Sequence, residues 1–287
     1  MHIDGSTKLV GVFGWPVTHT ASPAMHNAAF AALGMNWVYA AFSVEPKNLR
    51  PALCGARDMG LVGVNLTLPH KVLALNAVDE VHSEARRLGA VNTILMEHSR
   101  LRGFNTDGYG FVKALQDEFN LTLEGARVLV LGAGGAGRAI AVKCALEGAA
   151  KVFVANRTPA RTRPIGKEIA ATDTEFKAVP FEADALARVI GEVDLLVNAT
   201  SVGLNDGESL GLDKRLFSPK LLVYDTIYRP AQTDLLCAAA EAGARAANGQ
   251  SMLLHQGAKS FEIWTKRKAP LAVMRRALRG EVYGEKS

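Results

Sequence analysis

The sequence predicts an α/β protein with a doubly wound parallel sheet and a second α/β domain. Strand-like and helix-like segments alternate along the chain, and this alternation favours parallel strands with helices on both faces of the sheet. A glycine-rich turn at 132–137 stands between a strand-like run and a helix-forming run near the middle of the chain. The 287 residues leave room for a full domain before that turn.

The composition is that of an ordinary soluble globular protein, with 48% hydrophobic and 21% charged residues. No apolar run reaches the roughly 18 residues of a membrane-spanning helix, and no secretory signal pattern is present, so we expect a cytoplasmic protein. Cys54, Cys144 and Cys237 form no CxxC motif, which is typical of free thiols in a reducing compartment. The seven histidines form no metal-binding motif, and the net charge of +5 comes with no nucleic-acid signature. We therefore predict neither a metal nor a nucleic-acid partner.

Each predicted element follows from apolar periodicity between turn signals. We place the first domain at 1–107 with 247–287, and the cofactor-binding domain at 108–246. The predicted strands are 8–13, 37–44, 61–66, 91–96, 127–131, 151–155, 176–180, 194–198 and 221–225. The predicted helices are 23–33, 47–59, 70–76, 82–88, 107–119, 138–147, 164–171, 183–190, 233–242, 251–265 and 270–279.

The glycine-rich turn has the spacing of a dinucleotide-binding fingerprint in a Rossmann-type sheet. In this spacing Gly132 permits the tight turn, Gly134 lets backbone N–H groups approach a pyrophosphate, and Gly137 lets helix and strand pack closely. The N-terminus of the following helix offers unpaired amides and partial positive charge to the phosphates. The predicted cofactor-binding turn consists of Gly132, Ala133, Gly134, Gly135, Ala136 and Gly137.

The end of the next strand indicates which dinucleotide binds. An NAD-binding unit usually has Asp or Glu about 20 residues past the first glycine, where it accepts a hydrogen bond from the ribose 2′-hydroxyl. This chain has Asn156, Arg157 and Thr158 there, followed by Arg161 and Arg163. Because a guanidinium suits a phosphate that an acid would repel, we predict NADP(H). The alternative is an exposed, solvated basic turn.

A second polar loop, 198–203, follows the fourth strand of the cofactor-binding domain. In a doubly wound sheet, ligands bind beyond the C-terminal strand ends where the strand order reverses. The Asn, Thr and Ser side chains of this loop could bind the nicotinamide or its ribose, or could equally close a turn.

The first domain contains three polar segments whose side chains could bind a ligand or take part in catalysis. The hydroxyl-rich stretch 14–23 leads into a helix and could seat a carboxylate, although Ser22 before Pro23 is also a common helix cap. Lys71 falls in the first turn of a helix, where the macrodipole disfavours a cation, so it is a functional candidate or else extends into water.

The other candidates in these segments are polar side chains at element ends. Asn65 and Thr67 have the same facing at the end of a strand. Asp107 begins a helix, where amide donors favour its ionised form; a plain helix cap is the alternative. If Asp107 meets Lys71, the two form a charge pair able to exchange protons with a substrate hydroxyl.

Taken together, these segments resemble the shikimate dehydrogenase family over Gly14 to Trp264, nearly the whole chain. Many ordered blocks are more specific than any one of them. The matching blocks are GxPxxHxxSP at 14–23, NxTxPxK at 65–71, GAVNT at 89–93, NTDG at 105–108, the glycine turn at 132–137, NRT at 156–158, NATSxG at 198–203, DxxYxP at 225–230 and NGxxMLxxQGA at 248–258.

The resemblance implies an enzyme that interconverts shikimate and 3-dehydroshikimate with NADP(H) in aromatic amino-acid biosynthesis. It implies a substrate domain completed by the C-terminal helices, an inserted cofactor domain and a cleft between them. Lys71 and Asp107 would be the catalytic pair, and Thr20 and Ser22 would hold the substrate carboxylate. The remaining implied contacts are Asn65, Thr67, Asn92, Asp107, Tyr228 and Gln256 for the substrate, and Asn156, Arg157, Thr158, Arg161, Thr200, Ser201 and Gly249 with the glycine turn for the cofactor.

One departure concerns substrate choice, because Thr20 stands where the family usually has Ser and adds a methyl group. The alternatives are a quinate/shikimate dehydrogenase that prefers NAD, an aminoshikimate dehydrogenase, and a non-catalytic sensor of shikimate-like ligands. Arg157 argues against an NAD preference, and the presence of both Lys71 and Asp107 argues against a sensor. We expect a small-molecule substrate as the partner, and a monomer or homodimer.

Overall fold

The computed structural model describes residues 3–97, 99–205 and 207–284 and divides into two compact units. The first unit holds the chain up to Gly110 together with the chain from Leu253 onward, and the second is Phe111–Met252. Both divisions fall inside helices, a few residues after the predicted domain boundaries at 107 and 246.

Strands and helices alternate through the first part of the chain, as the sequence predicts, except where β5 is followed directly by β6. Two strands lie outside the predicted set, Glu80–Val81 and Arg100–Phe104. Both are short, and the second carries exposed or half-buried arginines at two of its five positions, so neither forms a clear apolar run. The elements are β1 (Lys8–Gly14), α1 (Ser22–Ala32), β2 (Trp37–Ser43), α2 (Leu49–Asp58), β3 (Gly63–Leu66), α3 (His70–Leu73), β4 (Glu80–Val81), α4 (Ser83–Leu88), β5 (Thr93–Glu97), β6 (Arg100–Phe104) and α5 (Asp107–Phe119).

Within the described residues, the strands of the first unit form one six-stranded sheet, in the order β2-β1-β3-β5-β6-β4. Strands β1, β2 and β3 are parallel, whereas β5 runs antiparallel to both β3 and β6. This sheet is therefore mixed, and the expectation of parallel strands throughout is wrong for β5. The cause is a direct hairpin from β5 into β6, because two strands joined by so short a connection must run antiparallel.

The elements of the second unit correspond closely to the predicted ones. Helix α6 begins three residues before its predicted start, inside the glycine-rich turn. A short strand, Arg245–Ala247, lies outside the predicted set. The elements from β7 to the end of the described chain are β7 (Arg127–Leu131), α6 (Gly135–Leu146), β8 (Lys151–Ala155), α7 (Arg163–Ile169), β9 (Glu175–Val179), α8 (Ala183–Ile190), β10 (Leu195–Asn198), β11 (Leu222–Asp225), α9 (Asp234–Glu241), β12 (Arg245–Ala247), α10 (Gln250–Thr265) and α11 (Leu271–Tyr283).

The second unit contains a parallel sheet of six strands, counted over its described residues, in the order β12-β11-β10-β7-β8-β9. The order reverses between β7 and β10, which confirms the predicted doubly wound sheet. Its central strands are apolar at successive positions because helices cover both faces, and Val128–Leu131 is fully buried. The reversal brings the loops after β7 and β10 to one edge of the sheet, where such folds bind ligands.

None of the helices in the described ranges is long and apolar enough to cross a membrane.

Candidate active site

Lys71 and Asp107, 36 residues apart in sequence, form an ion pair with 2.8 Å between Nζ and Oδ2. Lys71 lies in the single turn of α3, and Asp107 is the first residue of α5. The lysine side chain is 21% exposed and the aspartate side chain 6%. A ligand hydroxyl can therefore approach the ammonium group more readily than the carboxylate. The pair that the sequence predicts does meet.

Asn92 fixes the other carboxylate oxygen of Asp107. Its Nδ2 donates to Asp107 Oδ1 at 2.9 Å, and its Oδ1 accepts from the Thr106 backbone N–H at 2.7 Å. Because a backbone N–H can only donate, this second bond sets the orientation of the Asn92 amide. Both oxygens of Asp107 are thus engaged, which fixes the carboxylate beside Lys71.

Three buried hydroxyl groups lie behind Asn92. The oxygens of Thr93, Thr106 and Ser260 are 2.8 to 3.2 Å apart in all three pairs. Gln256 Oε1 accepts from Asn92 Nδ2 at 3.3 Å, while its Nε2 donates to the Leu253 carbonyl at 3.0 Å. We call the following set the catalytic cluster: Lys71, Asn92, Thr93, Thr106, Asp107, Gln256 and Ser260.

Three residues of this cluster are not predicted from the sequence. Thr93 and Thr106 lie inside matching sequence blocks but have no predicted role, and Ser260 lies outside the blocks. Ser260 follows Gln256 by four residues on α10, so both project from the same helix face. That spacing is the signal that could have identified it.

Asn65, predicted to contact a substrate hydroxyl, has its amide engaged within the protein. Its Nδ2 faces the Asn92 carbonyl, Thr93 Oγ1 and Ser260 Oγ at 2.9 to 3.1 Å, and its Oδ1 accepts from the Tyr39 hydroxyl at 2.8 Å. A ligand hydroxyl could still donate to the second lone pair of Oδ1. Asn65 can therefore serve a substrate only as an acceptor.

The hydroxyl groups near the start of α1 do not form the helix cap that the sequence offers as one interpretation. Helix α1 begins at Ser22 itself, with Ala21 as the cap residue and no side-chain cap bond. The cap interpretation of Ser22 is therefore wrong. Thr20 is half-buried, and its Oγ1 lies 3.4 Å from the Ser22 backbone N–H. Thr67, just after β3, is also half-buried, and a Cβ at Gly14 would meet its Cγ2.

The glycine-rich turn of the second unit has contacts that require glycine. Gly132 has φ of +102°, and a Cβ there would come within 2.9 Å of the Ala199 carbonyl oxygen. A Cβ at Gly137 would meet the Gly132 carbonyl oxygen. Gly134 caps α6, and no described atom outside its chain neighbours lies within 4 Å of where its Cβ would be. The turn is thus tightly packed on one side and open at Gly134, an arrangement that fits a pyrophosphate.

The segment after β8 is hydrogen-bonded to this turn. Asn156 Oδ1 accepts from the Ala133 backbone N–H at 3.0 Å, and Asn156 Nδ2 donates to the Thr158 carbonyl at 2.9 Å. Arg157, Thr158 and Arg161 are exposed. Asn156 thus ties the two loops together, and the guanidinium groups are accessible to a phosphate.

The loops after β10 and β11 are tied together by a buried carboxyl group, that of Asp225. It accepts from Asn198 Nδ2 at 3.0 Å, the Ile227 N–H at 3.0 Å and the Thr233 hydroxyl at 2.7 Å. Burial raises the pKa of Asp225. Asn198 Oδ1 in turn accepts from the backbone N–H and hydroxyl of Thr200.

Asn198 and Thr200 therefore form hydrogen bonds within the loop, while Ser201 is exposed. Gly249 packs tightly, because a Cβ there would meet the Thr226 carbonyl oxygen. Tyr228 is half-buried and lies in the second unit, after β11. No group of three or more His, Cys, Asp or Glu side chains among residues 3–97, 99–205 and 207–284 is placed to hold a metal ion.

Three family models match successive parts of the chain. Residues 12–94 match the shikimate dehydrogenase substrate binding domain, and residues 113–205 match shikimate / quinate 5-dehydrogenase. Residues 249–279 match the shikimate 5'-dehydrogenase C-terminal domain. The chain belongs to the shikimate dehydrogenase family.

Individual relatives agree with this membership over nearly the full length. A shikimate dehydrogenase (NADP(+)) of Methanopyrus kandleri is 43% identical over 96% of both chains. Shikimate 5-dehydrogenase of Thermus thermophilus, solved with NADP(H) and shikimate, is 40% identical, with a TM-score of 0.86 over 96% of this chain and 100% of that one. The enzyme of Listeria monocytogenes, solved with shikimate and NAD, is 36% identical, with a TM-score of 0.90 over 97% and 98%. These likenesses confirm the predicted fold class.

Proposed function

We propose that the protein catalyses the reversible NADPH-dependent reduction of 3-dehydroshikimate to shikimate, a step of aromatic amino-acid biosynthesis. The observation that carries this proposal is the Lys71–Asp107 ion pair within a cluster of buried hydroxyl and amide groups. The names of the Methanopyrus and Thermus relatives support the same activity and cofactor.

Lys71 is the proton donor and acceptor of the reaction. When bound, NADPH supplies the hydride. The Lys71 ammonium donates a proton to the oxygen that becomes the hydroxyl and stabilises its developing charge; in the reverse direction, neutral Lys71 accepts that proton. Asp107 Oδ2, 2.8 Å from Nζ, holds the ammonium group in place. Asn92 holds Asp107 in turn.

The first unit binds the substrate. The hydroxyl groups of Thr20 and Ser22 hold the carboxylate, and the Thr20 methyl group narrows that position. Asn65 accepts a hydrogen bond from a ring hydroxyl through Oδ1, the only capacity that its contacts leave. The further substrate contacts that we propose are Thr67, Lys71, Asn92, Asp107, Tyr228 and Gln256.

The second unit binds NADP. The open side of the turn at Gly134 receives the pyrophosphate, and Arg157 binds the 2′-phosphate. The protein works in the cytoplasm as a monomer or homodimer, which sedimentation velocity would distinguish. The proposed cofactor contacts are Gly132, Ala133, Gly134, Gly135, Ala136, Gly137, Asn156, Arg157, Thr158, Arg161, Thr200, Ser201 and Gly249.

The proposal is tested by initial rates of oxidation of shikimate and of quinate, each with NADP⁺ and with NAD⁺. We expect shikimate with NADP⁺ to exceed the other three combinations clearly. Comparable rates with quinate or with NAD⁺ would instead indicate a broad-specificity quinate/shikimate dehydrogenase. Ligand binding without turnover, in a folded protein that binds NADPH, would indicate a sensor.

The cofactor choice is tested separately with Arg157→Ala. A lost charge-assisted contact should raise KM for NADP⁺ by about 10- to 100-fold and leave KM for NAD⁺ nearly unchanged. Arg188→Ala, an exposed arginine on α8 of the same unit, is the matched control. Equal effects of the two substitutions would contradict the role of Arg157.

A further inference from the structure

Tyr39 on β2 is fixed at both its backbone and its side chain. The Asn27 side chain bonds both backbone groups of Tyr39, donating to its carbonyl at 3.0 Å and accepting from its N–H at 2.8 Å. The side chain is among the largest fully enclosed in the protein, with only 2% of the residue exposed. Its hydroxyl donates to Asn65 Oδ1 at 2.8 Å, and Asn65 is a residue of the proposed substrate site.

The face of the Tyr39 ring is covered by a histidine that takes no part in the proposed chemistry. The His26 ring stacks on it with 4.4 Å between centroids and an interplanar angle of 1°. Both His26 ring nitrogens are buried, and neither has a hydrogen-bond partner among the described residues. Burial lowers the pKa of His26 to about 3, so the ring is neutral at physiological pH. It therefore acts as a flat packing surface that holds the tyrosine ring.

The direction of the hydrogen bonds can be assigned from their partners. Asn65 Nδ2 lies 3.1 Å from the Asn92 carbonyl, which can only accept, so Asn65 Oδ1 must face Tyr39. The Tyr39 hydroxyl is then the donor to Asn65 Oδ1.

We propose that Tyr39 is a positioning residue of the substrate site, which holds Asn65 Oδ1 in place by donating a hydrogen bond to it. This inference rests on the proposed function. Without the phenol hydroxyl, the amide is held only through the contacts of Nδ2, and Asn65 Oδ1 loses the donor that fixes the position of the acceptor offered to the ring hydroxyl.

The test is Tyr39→Phe, which removes only the hydroxyl. We expect KM for shikimate to rise about 3- to 10-fold, with KM for NADP⁺ changed less than about twofold. Tyr224→Phe is the matched control, because that tyrosine is also fully buried and hydrogen-bonded but lies in the second unit. The control should lower the melting temperature by a similar amount and leave KM for shikimate unchanged.

A double-mutant cycle with Asn65→Ala shows whether Tyr39 acts through Asn65. In the Asn65→Ala background, adding Tyr39→Phe should change KM for shikimate by less than about twofold, since the group that Tyr39 orients is already absent. Equal effects of Tyr39→Phe and Tyr224→Phe on KM for shikimate, or full additivity with Asn65→Ala, would overturn the inference. Absence of wild-type shikimate turnover would instead overturn the proposed function.

Discussion

The catalytic cluster of the first unit and the glycine-rich turn of the second are held in place by different means. In the cluster, side chains hold side chains: Asn92 bonds Asp107, which bonds Lys71. In the turn, the close contacts are between backbone atoms, and Gly137 packs against the Gly132 carbonyl.

The two regions are therefore sensitive to different kinds of substitution. The cluster depends on which polar atom faces which partner, so replacing one side chain by another of the same size still disturbs it. The turn depends on the absence of side chains, so almost any added atom at a packed position disturbs it. Substitutions in the two regions should therefore be distinguishable by which kinetic constant they change.

The largest effect should come from Lys71→Ala. Loss of the proton donor should lower kcat for shikimate oxidation roughly 10³-fold, while the Kd for NADPH changes little. Steady-state kinetics and fluorescence titration of NADPH measure the two quantities. Lys47→Ala is the control, since that lysine belongs to the same unit and its side chain is 78% exposed. Near-normal turnover of Lys71→Ala would contradict the catalytic assignment.

A smaller effect, on the other region, is expected from Gly137→Ala. The new methyl group would meet the Gly132 carbonyl, which should cost about 1–3 kcal/mol of unfolding free energy and weaken NADP⁺ binding roughly tenfold. Gly134→Ala is the matched variant, because its Cβ would have open space among the described atoms. It should keep the wild-type unfolding free energy and still weaken NADP⁺ binding if the pyrophosphate lies there. Urea denaturation and calorimetric titration separate the two outcomes, and Kd for shikimate should stay constant in both variants.

The last prediction concerns the dependence of the unfolding free energy on pH, which His26 should cause. Its pKa is lowered from 6.5 to about 3 in the folded protein, so between these values the unfolded state binds the proton and the folded state does not. The contribution of His26 to the unfolding free energy should therefore be constant above pH 6.5. Between pH 6.5 and about 3, the unfolding free energy should fall by about 1.4 kcal/mol for each unit by which the pH is lowered.

Urea denaturation at several pH values between 4.5 and 7.5 measures this dependence. His26→Phe, which keeps a stacking ring without a titrating group, should flatten it. His19→Gln, at an exposed position, should leave it as in the wild type. If His26→Phe retains the wild-type slope, another group causes the acid sensitivity.

The sequence predicted the doubly wound sheet from the glycine spacing and the alternation of strands and helices, which are strong local signals. Local signals marked Lys71 and Asp107 only as separate candidates in the first turns of helices, and the resemblance to the family implied that they act as a pair. The sequence did not predict Tyr39 or Ser260, because the role of each arises only from distant partners: Tyr39 lies in the largely apolar β2, and Ser260 is one of several polar residues on α10. The hairpin of β5 and β6 was not predicted for a related reason, since the five residues of β6 include two arginines and resemble a loop.

The first unit is assembled from both ends of the chain, and this sets the order in which its parts become available during synthesis. Gln256 and Ser260 leave the ribosome after the whole second unit, Phe111–Met252. Domains of a nascent chain fold as units, the earlier ones first. The hydroxyl groups of Thr93 and Thr106 must therefore wait, without the partner that completes their network, until translation is nearly finished.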